Sequence, residues 1–199
     1  MHIVVYGGAF DPLHNGHQAI LQHITQVPDI DRVCVVPTGV PVYKKATFFP
    51  GHIRHAMLES ICNGIKGTPV DIIDYEYRRE VPSYTVDTIH YLKDRYQAKH
   101  ISLVVGFDQL YQFHRWRNYQ TLLALCNLWV FPRDGMNQER LMASFPDVLK
   151  PYQEQFKFQS LVPPRVSSTQ VRIRIDNKKP IHDFVPKEVQ QVIDGYLTF

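Results

Sequence analysis

Ile3-Val4-Val5-Tyr6-Gly7-Gly8-Ala9-Phe10-Asp11-Pro12-Leu13-His14-Asn15-Gly16-His17 is the stretch on which the fold of this 199-residue chain turns. Its first four residues are β-branched or aromatic without a break, the pattern of a strand buried on both faces in a parallel sheet. Gly7 and Gly8 follow, where backbone can approach a ligand closely. Ala19, Ile20 and Ile24 then recur at helical spacing, so a helix begins near Gly16. A helix start presents unpaired N–H groups and the positive end of the helix dipole, which together favour an anion. His14 and His17 stand three apart at that start, so both can lie on one face and aim donors at the same anion. Gly16 between them leaves room for a ligand. Two glycines alone read equally well as a tight turn; the His-x-Gly-His spacing after a strand favours the anion site.

Outward from this stretch, strand and helix patterns alternate. Val33–Val36, Val70–Ile73, Ile101–Val105 and Leu128–Phe131 read as further buried strands. Between them Ile53, Met57, Leu58 and Ile61, and then Val86, Ile89 and Leu92 after Ser83, repeat at helical spacing. This order predicts an α/β fold: a doubly wound, mostly parallel, Rossmann-like sheet with its ligand crevice beyond the carboxyl ends of the strands. The Pro-rich run Val162–Arg165 reads as a loop entering a helical C-terminal end, with a helix over about Gln170–Asp176. No repeat or linker divides the chain, and its length suits one domain over residues 1–199.

Composition narrows the function classes. Hydrophobic residues at 44% and charged residues at 21% describe a folded globular protein and exclude a disordered one. A net charge of +3, with Lys and Arg scattered, argues against a nucleic-acid partner and suits small phosphorylated ligands. Cys34, Cys62 and Cys126 stand alone in apolar stretches, an odd number without a Cys-x-x-Cys pair, which speaks against a disulfide framework or structural zinc. No leader is expected at the N-terminus, and no apolar run reaches the ~18 residues of a membrane span, so the expected location is the cytoplasm. His52 and His55 share a helix face, but no third ligand completes a metal set, and we expect no protein-held metal.

The opening stretch resembles the nucleotidyltransferase superfamily with the G-x-F-D-P-x-H-x-G-H signature, and within it the nicotinate mononucleotide adenylyltransferases. Pro82-Ser83-Tyr84-Thr85-Val86-Asp87-Thr88 is similar to that family's P-S-Y-T-x-D-T segment. Val105-Gly106-Phe107-Asp108 followed by Trp116 is similar to its V-G-x-D and Trp region, and Ser167-Ser168-Thr169-Gln170-Val171-Arg172 to its S-S-T-x-I-R. Pro37 to Lys45 resembles its P-x-x-x-P-x-x-K loop. The motifs occur in family order and span residues 3 to 172.

The resemblance implies transfer of AMP from ATP to the 5′-phosphate of nicotinate mononucleotide, in NAD biosynthesis. It implies His14, His17 and Arg172 as catalytic groups, and ATP contacts from Gly7, Gly8, Ala9, Phe10, Gly16, Lys44, Gly106, Asp108, Ser167, Ser168 and Thr169. Tyr84, Thr85, Asp108 and Trp116 would hold the acceptor, with the indole stacking on the pyridine ring. Mg²⁺ would travel mainly on the ATP phosphates and water. Read as residues alone, Ser167 is an ordinary helix cap with Arg172 solvated; Asp108 is open to a reading as a cap for the helix after it, Trp116 as a core aromatic, and Lys44 with Lys45 as a solvated pair. Ser83 is expected to cap the helix bearing Tyr84 and Thr85.

Three departures from the family pattern bear on this reading. Ala9 replaces a hydroxyl residue, Tyr43 stands where a His is usual, and Phe107 replaces a smaller residue and is expected to narrow the base pocket. The rivals are the same chemistry on nicotinamide mononucleotide or phosphopantetheine, a nucleotide-binding regulator without turnover, and more distantly a tRNA-charging domain. The sequence is compatible with a homo-oligomer.

Overall fold

Alternation along β1 (His2–Gly8) sends Ile3 and Val5 to one face of the sheet and Val4 and Tyr6 to the other, and both faces are covered. The computed structural model describes residues 1–39, 47–79, 81–132 and 145–198. Around β1 lie β2 (Arg32–Pro37), β3 (Val70–Ile72), β4 (His100–Gly106), β5 (Asn127–Phe131) and β6 (Phe156–Phe158), all parallel, in the order β3-β2-β1-β4-β5-β6. The central register sets Val5 between Cys34 and Leu103. Strand order reverses between β1 and β4, and the crevice beyond their carboxyl ends is where such sheets take ligands.

One face carries α3 (Thr85–Tyr96), α4 (Phe107–Leu110) and α5 (Tyr119–Leu125), whose Ile89, Leu92, Leu110 and Leu122 pack on Ile3, Val5, Leu103 and Val105. The other carries α1 (Asn15–Ile24), α2 (Gly51–Cys62), α6 (Ser168–Asp176) and α7 (Lys187–Leu197), whose Leu21, Ile24, Met57, Val171 and Val189 pack on Val4, Tyr6, Val33 and Val35. Each such side chain, fully buried, contributes about 1.5–3 kcal/mol, so the two apolar layers fix the sheet that positions the loops. No helix among the described residues is long and apolar enough to cross a membrane.

The doubly wound α/β expectation agrees with this architecture, and the differences are local. β3 stops at Ile72, although the N–H of the buried Ile73 still donates to Val35 O at 2.8 Å. β6 is unanticipated: it follows a 3₁₀ run over Asp147–Gln155 and pairs Phe156 with Leu128 and Phe158 with Val130 at the sheet edge. The helix expected from Gln170 begins at Ser168, because Ser167 caps it.

Candidate active site

The loop after β1 is built from the backbone outward. A Cβ at Gly7 would meet nothing within 4 Å, so this glycine keeps the strand end open to the crevice. A Cβ at Gly8 would press on the Phe10 ring at 3.1 Å. Phe10 takes a left-handed backbone with φ 48° and turns its ring into the core, edge-on to Tyr6 and His17, so only its backbone is offered to a ligand. The buried Asp11 carboxylate accepts from the N–H groups of Phe48 and Phe49, both at 2.8 Å, and so joins this loop to the entrance of α2.

His14 and His17 begin α1 as a reciprocal cap. His14 Nδ1 accepts from the His17 N–H, and His17 Nδ1 accepts from the His14 N–H, each at 3.3 Å, with the rings stacked 3.6 Å apart. The space at Gly16 is taken by the His14 ring and by Pro164 O, each 3.2 Å from a Cβ built there. Gly16 therefore serves close packing of the 163–164 segment on α1; the open ground for a ligand lies at Gly7.

The chain returns to this loop at α6. Ser167 Oγ accepts from the Gln170 N–H at 3.2 Å, and Ser168 Oγ donates to Pro12 O at 2.9 Å. Arg172, one turn in, donates to Asp11 O at 2.5 Å and to Thr169 Oγ1 at 3.0 Å, with the Asp11 carboxylate 3.8 Å away. Two helix starts thus converge, one bearing imidazoles and the other hydroxyls and a guanidinium.

Across the crevice, Gly106 is the N-cap of α4 and Asp108 is its second residue, without a side-chain cap bond. A Cβ at Gly106 would lie 2.6 Å from Asp108 Oδ1, so the glycine makes room for that carboxylate. Tyr84, and not Ser83, is the N-cap of α3, again without a side-chain cap bond. Burial pushes the Glu76 carboxyl up, while bonds from Thr88, the Gly39 backbone and Ser83 oppose the shift; Thr88 Oγ1 donates to Oε1 at 2.6 Å. The Ser83 hydroxyl is therefore committed to Glu76. The half-buried Trp116 follows a 3₁₀ turn, Phe113–Arg115, and leans on Phe113 with ring centroids 4.9 Å apart.

All these groups line one cleft of about 800 Å³. Every site residue anticipated from sequence borders it except Lys44, which with Tyr43 and Lys45 lies outside the described residues. Phe107 does not border it: its ring is buried against Phe158 of β6 and leaves the base pocket unnarrowed. His55 bonds Tyr77 through Nδ1 at 3.0 Å and faces Glu59 at 3.4 Å, while His52 is exposed. Among the described residues no group of three His, Cys, Asp or Glu side chains could hold a metal ion.

Several contributors escaped sequence reading. Arg54, 2% exposed, donates to Ala9 O at 2.8 Å and to Phe49 O at 3.2 Å. Burial lowers its pKa and the Asp11 carboxylate opposes that. The signal was available, because Arg54 stands in helical phase with Met57, Leu58 and Ile61. Glu76, Arg117 and Thr88, the last residue of the Pro82–Thr88 segment, also border the cleft, and sequence reading gave them no role.

Comparison with known proteins agrees with this geometry. Residues 5–174 match the family model described as Cytidylyltransferase-like. A probable nicotinate-nucleotide adenylyltransferase of Thermotoga maritima is 30% identical over 98% of this chain and 91% of its own length. One of Clostridium acetobutylicum is 30% identical over 95% and 94%. Among solved structures, the nicotinic acid mononucleotide adenylyltransferase of Plasmodium falciparum complexed with NaAD has a TM-score of 0.77 at 21% identity, covering 98% of this chain and 95% of that one, which supports the fold. The chain belongs to the cytidylyltransferase-like family, among the nicotinate-nucleotide adenylyltransferases.

Proposed function

We propose that this enzyme transfers AMP from ATP to the 5′-phosphate of nicotinate mononucleotide, giving deamido-NAD and pyrophosphate, with residues 1–199 acting as one nucleotidyltransferase domain in the cytoplasm. One observation carries the reading: the two phosphate-friendly helix starts and the Tyr84, Thr85 and Trp116 group face the same cleft. The names of the relatives support the same acceptor.

In this reading the acceptor phosphate oxygen attacks the α-phosphorus of ATP, the bond from that phosphorus to the bridging oxygen breaks, and pyrophosphate leaves with the electron pair. The attacking phosphate is already anionic, so no side-chain base creates it; catalysis is positioning and charge stabilisation. His14, His17, Ser167, Ser168, Thr169 and Arg172 hold the triphosphate. Gly7, Gly8, Ala9, Phe10 and Gly16 shape the floor beneath it, largely through backbone. Asp108 reaches a ribose beside Gly106. Trp116 stacks on the pyridine ring, and the N–H groups at the start of α3 receive the nicotinate carboxylate. The donor set suits a metal carried by phosphates and water: the Asp11 carboxylate is engaged by two backbone N–H groups, and among the described residues Asp108 is the one exposed carboxylate of the cleft. Mg²⁺ arriving with ATP would neutralise phosphate charge there.

The test is pyrophosphate release with ATP and Mg²⁺ against nicotinate mononucleotide, nicotinamide mononucleotide and phosphopantetheine. Preference for the first is expected. Turnover only with phosphopantetheine would overturn the acceptor and leave the ATP site standing, and no turnover with any acceptor would overturn the enzymatic reading.

A further inference from the structure

We propose that the Arg117 side chain reads the charge on the acceptor's base and is the residue that favours a nicotinate over a nicotinamide nucleotide. This rests on the acceptor reading above and deepens it.

Arg117 borders the cleft beside Trp116, and its guanidinium carbon lies 4.4 Å from the centroid of the Tyr84 ring. Stacking over an aromatic face uses the flat face of a guanidinium and leaves its N–H donors at the edge, in plane. Among the described residues Arg117 makes no hydrogen bond or ion pair, so those donors are not committed to another of them. The cleft's other arginines sit elsewhere: Arg172 is tied to Asp11 and Thr169, and Arg165 stands just before Ser167. Arg117 is the arginine beside the Tyr84 and Trp116 pair.

The other acceptor contacts read charge only through the dipole at the start of α3, a small effect. Backbone N–H groups at the start of α3 donate to a carboxylate oxygen, and also to the carbonyl oxygen of a carboxamide. Indole stacking is equally indifferent. A guanidinium has donors only: it pairs with both oxygens of a carboxylate, but meets the NH₂ of a carboxamide donor against donor. The Glu76 carboxylate, which also borders the cleft, does not pair with this charge: its hydrogen-bond partners are Thr88, Ser83 and Gly39.

The experiment is steady-state kinetics of the wild type, R117Q and R117K with ATP and each mononucleotide. In R117Q the KM for nicotinate mononucleotide is expected to rise about tenfold, equivalent to ~1.4 kcal/mol, while the KM values for nicotinamide mononucleotide and ATP stay within about twofold. R117K, which keeps the charge but loses the flat fork, should recover part of the preference, with a KM for nicotinate mononucleotide between those of wild type and R117Q. A wild type that prefers nicotinate and an R117Q that keeps the same preference would overturn the role of Arg117 alone. Equal KM rises for both mononucleotides would place Arg117 on their shared phosphate and overturn it too, as would R117K behaving like R117Q. A wild type that does not use nicotinate mononucleotide would overturn both the acceptor reading and this one.

Discussion

His14 and His17 stack at 3.6 Å while each ring accepts the other's backbone N–H through Nδ1. An accepting Nδ1 carries no proton, so in the neutral rings the proton sits on Nε2, the nitrogen away from the helix backbone. The contact that caps α1 thereby also fixes which nitrogen donates. Replacing His17 by Ala removes an Nε2 donor and leaves His14 without its ring partner. We expect kcat to fall at least ~100-fold and stability to fall by no more than about 1 kcal/mol, because only the return bond of the capping box is lost and His14 Nδ1 still accepts from the N–H at position 17. Pyrophosphate release and a thermal melt on the same sample check both, and near-normal turnover would remove His17 from the reaction.

Arg54 binds the carbonyls of Ala9 and Phe49 from within the core. Met fills a similar volume without donors, so R54M leaves the buried Phe49 O and the part-buried Ala9 O without this donor. Unfolding in urea should show a loss of about 2–4 kcal/mol. A loss below ~1 kcal/mol would mean that other donors or water replace the guanidinium.

Glu76 gives stability a pH slope. Burial raises its carboxyl above the ordinary value of about 4.5, so the folded protein holds this proton more tightly than the unfolded chain does. Its contribution is full below that ordinary value and is lost as pH rises through the folded one. Because E76Q does not titrate there, the stability of wild type minus that of E76Q should fall upward from about pH 4.5 and then level off. Urea titrations at intervals between about pH 4 and 8 test it; a difference that is flat throughout contradicts the shift.

Gly106 and Asp108 share one space. A methyl group at position 106 would lie 2.6 Å from Asp108 Oδ1, so the carboxylate must shift from its place beside Gly106. G106A should therefore melt within ~2 °C of wild type while nucleotide KM rises on the order of tenfold, the loss of one good charged hydrogen bond. Unchanged KM values would place Asp108 away from the bound nucleotides.

How far sequence reaches into this molecule depends on where the information lies. β1, β2, β4 and β5 are continuous apolar runs, and α1 to α3 have clean helical spacing, so their own residues announce them. β6 has three residues with an exposed Lys157 at its middle and exists because β5 offers an edge beside it. Phe107 looked like a pocket residue by its neighbours Gly106 and Asp108, yet the first turn of α4 rotates it into the core toward Phe158. Ser83 had the chemistry of a cap, but the buried Glu76 carboxylate competes for its hydroxyl. Which segments border the cleft was legible, whereas the tertiary partners that claim Phe107 and Ser83 were not.

The link between the two phosphate-facing segments also orders events in time. Ser168 meets Pro12 across 156 positions of chain, and Arg172 meets Asp11 across 161. On a growing chain, contacts so distant in sequence can form only after residues 168 and 172 have been made. A nascent chain that has emerged only through β5 holds its Gly-rich loop and both histidines, but lacks the other wall of the cleft. Nucleotide capture therefore cannot guide the early steps of folding; it can only reward the last one, when α6 docks and the ends of the protein's history meet.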